Sequence, residues 1–197
     1  MSDTAALPET PAATMDEQAS RLGFEPIAPS QRAAHLPAAV AAALRDIDAA
    51  VFACRDEHSD TAAFCAAYGC APEDCANTLI VKYTRDGAEH HAAIVTLGSR
   101  RLDLNGAVKE RLAARRLTMA RREAAMQITG MAFGGITAPG LPAGIVILVD
   151  GAVMARPWVV MGAGVRETKL LLAPSQLLRL PDASVAPLTF EPAAAGG

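Results

Sequence analysis

The stretch Thr129-Gly-Met-Ala-Phe-Gly-Gly-Ile-Thr-Ala-Pro-Gly140 carries no charge, and five residues later the chain enters the apolar run Ile145-Val-Ile-Leu-Val149. That order predicts a loop feeding a strand buried on both faces. Glycines let a backbone approach a ligand closely and take φ > 0, Pro139 fixes one dihedral, and N–H groups left free between them can hold an anion or a carbonyl oxygen. Glycines that serve only turns fit the spacing equally well.

Working outward, Leu36 to Ala50 reads as an Ala-rich helix with Val40, Leu44 and Ile47 on one stripe. A second helix spans Asp60 to Tyr68, capped by Ser59 or Asp60 and stopped by Gly69. Asn77–Thr84 and His91–Leu97 read as strands of a hairpin turning at Arg85-Asp-Gly87. Asn105 is expected to cap a helix to about Arg116 with Leu104, Val108 and Leu112 inside, followed by a short strand near Leu117 and a helix from Arg121 to about Ile128, ended by Gly130. Beyond the loop, strands are expected at 145–149, 157–162 and 168–172, then a helix opened by Pro174, then a strand near Ser184 to Leu188. Helices and strands mix without regular βαβ alternation. This favours an α+β fold with a mixed sheet or partly closed barrel over a doubly wound sheet.

Residues 1–20 and 191–197 are rich in Ala and Pro and poor in bulky apolar side chains, so they read as mobile tails around a single domain at 21–190. Aromatic residues make up only 4% of the chain, which leaves the core to Ala, Val, Leu and Ile. No run is long and uncharged enough to span a bilayer, and no basic-then-apolar leader opens the chain. A cytoplasmic, membrane-free protein is expected. Cys54, Cys65, Cys70 and Cys75 match neither paired metal knuckles nor a small disulfide scaffold, and read as free, largely buried thiols.

The net charge is −3, yet the segment from Arg100 to Arg122 holds eight basic residues against Asp103 and Glu110 and is therefore +6. Such a zone can dock a phosphate backbone while the acidic remainder is repelled. A solvated helix face is the plainer reading. No aromatic residue lies within the segment, so stacking of single-stranded bases is not supported here.

A serine hydrolase elbow, Gly-x-Ser-x-Gly, is absent from the chain. His90 and His91 are adjacent, point to opposite faces of a strand and cannot share one metal. His58 sits in the polar loop Asp56-Glu-His-Ser-Asp60, a better place for function but without a partner in sequence. Asp150 ends an apolar strand, either as a turn former with Gly151 or as a site residue, and Gly162-Ala-Gly164 forms a second glycine pair at a strand end.

Taken in order, Asp60-Thr-Ala-Ala-Phe-Cys-Ala-Ala-Tyr-Gly69, Ala76-Asn-Thr-Leu79, Arg101-Leu-Asp-Leu-Asn105, Thr129-Gly130 with Gly134-Gly-Ile-Thr137, Leu148-Val-Asp150, and Gly162-Ala-Gly164 with Leu170 and Pro174 resemble the YbaK/EbsC family. These are free-standing relatives of the editing domain inserted in bacterial prolyl-tRNA synthetases, and the resemblance covers roughly 35 to 190. It implies a mixed, partly closed β-barrel-like sheet flanked by helices, and hydrolysis of the ester of mischarged aminoacyl-tRNA in trans without ATP, metal or other cofactor. It also implies the tRNA acceptor end as partner, with an aminoacyl-tRNA synthetase as a further one. On the family's pattern, Gly134, Gly135, Ile136 and Thr137 face the ester, and Asn77 and Thr78 lie beside the terminal adenosine; His58, from its polar loop, and Asp150, Gly162 and Gly164, from their strand ends, are further candidates for binding the substrate. Arg100 and Arg101 would meet acceptor-stem phosphates, which follows from charge rather than from the family. Two positions depart from the pattern: Asn77 stands where the family commonly has lysine, and Ala138 separates Thr137 from Pro139. A binding module of the same fold with little hydrolytic activity is the second reading.

Overall fold

The computed structural model describes residues 13–190. Its eight strands form two sheets. β1 (Ala49–Ala53), β6 (Val159–Gly162) and β7 (Thr168–Leu172) make an antiparallel sheet in the order β1-β7-β6. β2 (Ala76–Arg85), β3 (Ala88–Leu97), β4 (Arg116–Met119), β5 (Val146–Asp150) and β8 (Ala183–Ala186) make a mixed sheet in the order β4-β2-β3-β5-β8. β2 and β3 are joined by the tight turn Asp86-Gly87, where both residues have positive φ (52° and 79°). That is the backbone a two-residue hairpin with right-handed strand twist demands. β5 runs parallel to both β3 and β8.

Period-2 alternation sorts the side chains into layers. Ala93 and Val95 of β3 and Ile147 and Val149 of β5 point inward, onto Val51, Leu170, Leu172 and Met161 of the smaller sheet. Their neighbours Ala92, Ile94 and Leu148 face the other way, onto Val108, Leu112 and Leu188. On the far side of the smaller sheet, Phe52, Val160 and Leu171 pack with Phe24 and Phe64. The few aromatics are concentrated there, with Phe24 stacked on Phe52 at 4.2 Å and Phe64 on Tyr68 at 4.7 Å. The sheets meet at a parallel bridge between Cys75 and Val160. All four cysteines are free, with Cys54 and Cys75 buried.

Helices flank the sheets: α1 (Met15–Arg21), α2 (Ala38–Ala43), α3 (Thr61–Tyr68), α4 (Lys109–Arg111), α5 (Arg122–Thr129) and α6 (Gly151–Met154). Three expectations shift. The tail read as 1–20 contains α1, closed by a capping box between Thr14 and Glu17 and tied down where Arg32 grips both oxygens of Asp16 at 2.5 and 2.6 Å. Residues 1–12 and 191–197 lie outside the described residues. The single helix expected over 36–50 is α2 followed by β1, because Ala50, Val51 and Phe52 are buried between two apolar layers and tertiary packing overrides alanine's helix preference. Finally, Asp103 rather than Asn105 caps the next helix, its carboxylate accepting from the Gly106 and Ala107 amides at 2.9 and 3.0 Å. That helix opens with a wide turn at Leu104–Val108 and stops at α4, where Ala113 takes φ 48°, so Arg116 already belongs to β4. Pro174 opens a 3-10 helix, Pro174–Arg179.

Candidate active site

Where the sheets diverge beside the Cys75–Val160 bridge, a cleft of about 190 Å³ opens. One wall is the start of β2, from Ala76 to Leu79; the other is β6 with Lys169 of β7. The N-terminal end of α3 and residues Phe133, Gly134 and Ile136 of the Gly-rich loop complete it.

The loop is shaped by close backbone approach. Gly135 donates to the Ala132 carbonyl at 2.9 Å, closing a β-turn whose third residue, Gly134, has φ +89°. A Cβ on Gly135 would sit 2.2 Å from the Val165 carbonyl oxygen, and one on Gly162 would sit 2.5 Å from the Gly135 oxygen. Gly164 donates back to that oxygen at 2.7 Å, which stitches the loop to the end of β6. Gly135 and Gly164 are therefore the scaffold behind the cleft, while Gly134, Ile136 and Gly162 line it. Among the described residues, the amides of Gly134 and Ile136 have no hydrogen-bond acceptor. Two donors on the cleft wall are thus unspent.

Polar side chains line the same cleft. Ser59 and Thr78 line the cleft with buried hydroxyls that lack any partner, a state that natural cores rarely tolerate away from a binding site. Asn77 lines the cleft at β2's start and is held there, its Oδ1 accepting from Thr61 Oγ1 at 3.1 Å.

Lys169 was not foreseen from the sequence. It is 6% exposed, lines the cleft, donates from Nζ to the Ser59 carbonyl and lies 5.7 Å from the centre of the Phe64 ring. An ammonium has three donors, so two remain. Burial pushes its pKa below the usual lysine range; the Arg166 guanidinium adds to that, while nearby Cys54, Cys75 and Asp60 oppose it. The only signal for it in the sequence is a lysine inside the otherwise apolar strand Thr168-Lys-Leu-Leu-Leu172.

The other sequence candidates scatter. Thr137 is fully buried behind the loop, its amide on Met131 Sδ at 3.4 Å. His58 is packed edge-on against Tyr68 at 5.8 Å and does not line the cleft. Asp150 is buried, and its two oxygens accept from the Leu188 amide at 2.8 Å and the Thr189 hydroxyl at 2.9 Å, so it anchors the chain's last described segment. Arg100 and Arg101 line a neighbouring groove that shares Asn77 and Leu79 with the cleft. Lys82, five positions along from Asn77, pairs with Glu89 at 2.8 Å on the surface. Among the described residues, no group of three or more His, Cys, Asp or Glu could hold a metal ion, and no helix is long and apolar enough to cross a membrane.

Residues 56–180 match the family described as the aminoacyl-tRNA editing domain. The chain belongs to this family. The match runs from the loop before α3 through the 3-10 helix after β7, so it takes in every wall of the cleft. Solved structures agree on the architecture of this editing domain. The hypothetical protein APE2540 is 27% identical, with 71% of this chain and 90% of that one covered and a TM-score of 0.64. A candidate trans-editing enzyme for prolyl tRNA synthetase is 22% identical, with 84% and 99% covered and a TM-score of 0.68, and shares the fold. Comparison with curated proteins gives no match. Aminoacyl-tRNA editing is the function of the family, and aminoacyl-tRNA is the substrate that it implies.

Proposed function

We propose that this editing domain is a trans-acting deacylase that hydrolyses the ester of mischarged aminoacyl-tRNA in the cleft between the sheets. The observation that carries the reading is that one small cavity is lined by residues with unspent donors: Gly134 and Ile136 with their amides, Ser59 and Thr78 with their hydroxyls, and Lys169 with its ammonium.

An aminoacyl ester is already activated, so positioning and charge stabilisation suffice. A water oxygen adds to the ester carbonyl, the bond to the ribose oxygen breaks, and that oxygen takes up a proton, releasing free amino acid and tRNA. Negative charge grows on the carbonyl oxygen, and each preorganised donor aimed at it is typically worth about 10²–10³ in rate. The Gly134–Ile136 backbone supplies such donors without a side-chain nucleophile. Asn77 lacks the charge that the family's lysine brings to this position, and Lys169 supplies it from β7 instead. An ammonium on Lys169 also favours the phosphate-bearing end of the substrate, because it is the cleft's cation. Phe133, 44% exposed at the rim with the Arg122 guanidinium 5.0 Å from its ring centre, offers the terminal adenine a stacking surface. Phe64, Val160 and Met161 leave room for a small, largely apolar aminoacyl group.

The test is a deacylation panel with tRNAs charged with alanine, cysteine, serine and threonine. Release of at least one amino acid far above the spontaneous rate supports the reading, and binding of tRNA without release from any of them supports the binding-module alternative.

A further inference from the structure

Beside the catalytic cleft runs a second groove, lined by Thr96, Arg100, Arg101, Met119 and Phe190, with Asn77 and Leu79 as the wall common to both. Phe190 is 48% exposed. An exposed phenylalanine is ordinarily free to move, but this one is held. Its amide donates to the Arg101 carbonyl at 3.0 Å, Leu102 and Thr189 form an antiparallel bridge, and buried Asp150 grips the two preceding residues. The Arg101 guanidinium carbon lies 5.6 Å from the Phe190 ring centre. Phe133 and Phe190 are the exposed phenylalanines of the described residues, and each carries an arginine, one at the cleft rim and one in the groove.

A fixed aromatic surface beside a guanidinium suits a nucleobase and its phosphate: the ring gives stacking area, and the arginine gives both cation–π contact and phosphate pairing. Two further features point the same way. Thr96, 3% exposed, is among the residues that line the groove, and its buried hydroxyl has no partner within the protein, the kind of unmet hydrogen-bonding group that marks a binding site. Asp103, the groove's carboxylate, is turned to the Gly106 and Ala107 amides, and its charge is outnumbered by the eight basic residues of Arg100 to Arg122. The sequence hid this because no aromatic lies within 100–122; the fold brings Phe190 to it from the other end of the domain.

We propose that this groove is a second nucleotide subsite, which takes the base of the penultimate nucleotide of a single-stranded RNA 3′ end against Phe190 and Arg101, with its phosphate in the field of Arg100 and Arg101. The proposal rests on the reading of the adjoining cleft as the site of the terminal aminoacyl-adenosine. The strand then passes over Asn77 and Leu79 from one site to the other.

The experiment measures binding of uncharged tRNA by fluorescence anisotropy, using intact 3′ ends, ends lacking one nucleotide and ends lacking two. Phe190→Ala is expected to weaken binding of intact tRNA and of tRNA lacking one nucleotide about five- to a hundredfold, the range for loss of one stacked base. With two nucleotides removed, wild type and Phe190→Ala should bind alike, and Phe190→Tyr should bind intact tRNA like wild type. Equal affinity of wild type and Phe190→Ala for intact tRNA, in a protein that still deacylates, overturns the subsite and leaves the cleft's function standing. A wild type that neither binds tRNA nor deacylates it overturns both.

Discussion

Lys169 of β7 and Asn77 of β2 line one cleft, one from each sheet. On the proposed reading, Lys169 brings to the cleft the charge that Asn77 lacks. A lysine 6% exposed is costly unless its charge is used, and among the described residues its Nζ donates to the Ser59 carbonyl alone, with the Phe64 ring beside it. Lys169→Met should lower the deacylation rate about 10²-fold, in line with the loss of one preorganised charged donor. Adding Asn77→Lys to Lys169→Met should recover at least part of that loss, whereas Asn77→Lys alone should change the rate little. Single-turnover rates on all three variants check it.

The same burial makes stability depend on pH with a definite sign. The Lys169 pKa is depressed in the folded protein, so between that value and the unfolded value of about 10.4 the unfolded chain binds more protons. Stability contributed by this residue therefore rises with pH across that window and is constant below it, where both states carry the proton. The thiols act oppositely: burial raises Cys70 to about 11 and pushes Cys75 up as well, so folding retains protons there in the alkaline range. Subtracting the Lys169→Met unfolding curve from that of wild type at each pH isolates the lysine, and the difference should move in wild type's favour as pH rises.

Gly135 has no room for a methyl group, with the Val165 carbonyl oxygen 2.2 Å from its would-be Cβ. Gly135→Ala should destabilise the fold by about 3 kcal/mol and lower Tm by roughly 10 °C. Gly162→Ala, whose Cβ would meet the Gly135 oxygen at 2.5 Å, should do likewise and abolish deacylation, because it moves the loop's donors. Gly151, with open space around it, should accept alanine at little cost in thermal denaturation.

Much of this was legible in the chain. The β2–β3 hairpin, α3 with its Asp60 cap and Gly69 stop, and the loop-to-β5 order follow from turn chemistry and apolar runs that act locally. What stayed hidden depends on contacts between distant segments. The start of β1, Ala49 and Ala50, reads as the end of a helix because of its alanines, and only the layers on either side make it a strand. Thr137 and Gly164 look like cleft residues until close packing turns them behind it, and Lys169 looks like one residue of a strand until β7 is set beside β6.

Asp150 acts at a distance from the chemistry. Asp150→Ala leaves the buried Leu188 amide without its acceptor, at a cost of about 1–3 kcal/mol. It also frees the segment that carries Phe190, so it should weaken tRNA binding in the same direction as Phe190→Ala. Anisotropy titrations at a temperature where the variant is folded by circular dichroism check this.

The most direct test of the central claim is a deacylation assay that sets wild type beside Lys169→Met on tRNAs charged with alanine, cysteine, serine and threonine. The account predicts that wild type releases at least one small amino acid well above the spontaneous rate and that Lys169→Met loses about 10²-fold on that same substrate. Release by both proteins at equal rates would contradict the role of Lys169, and no release by wild type from any of the four would contradict the deacylase itself.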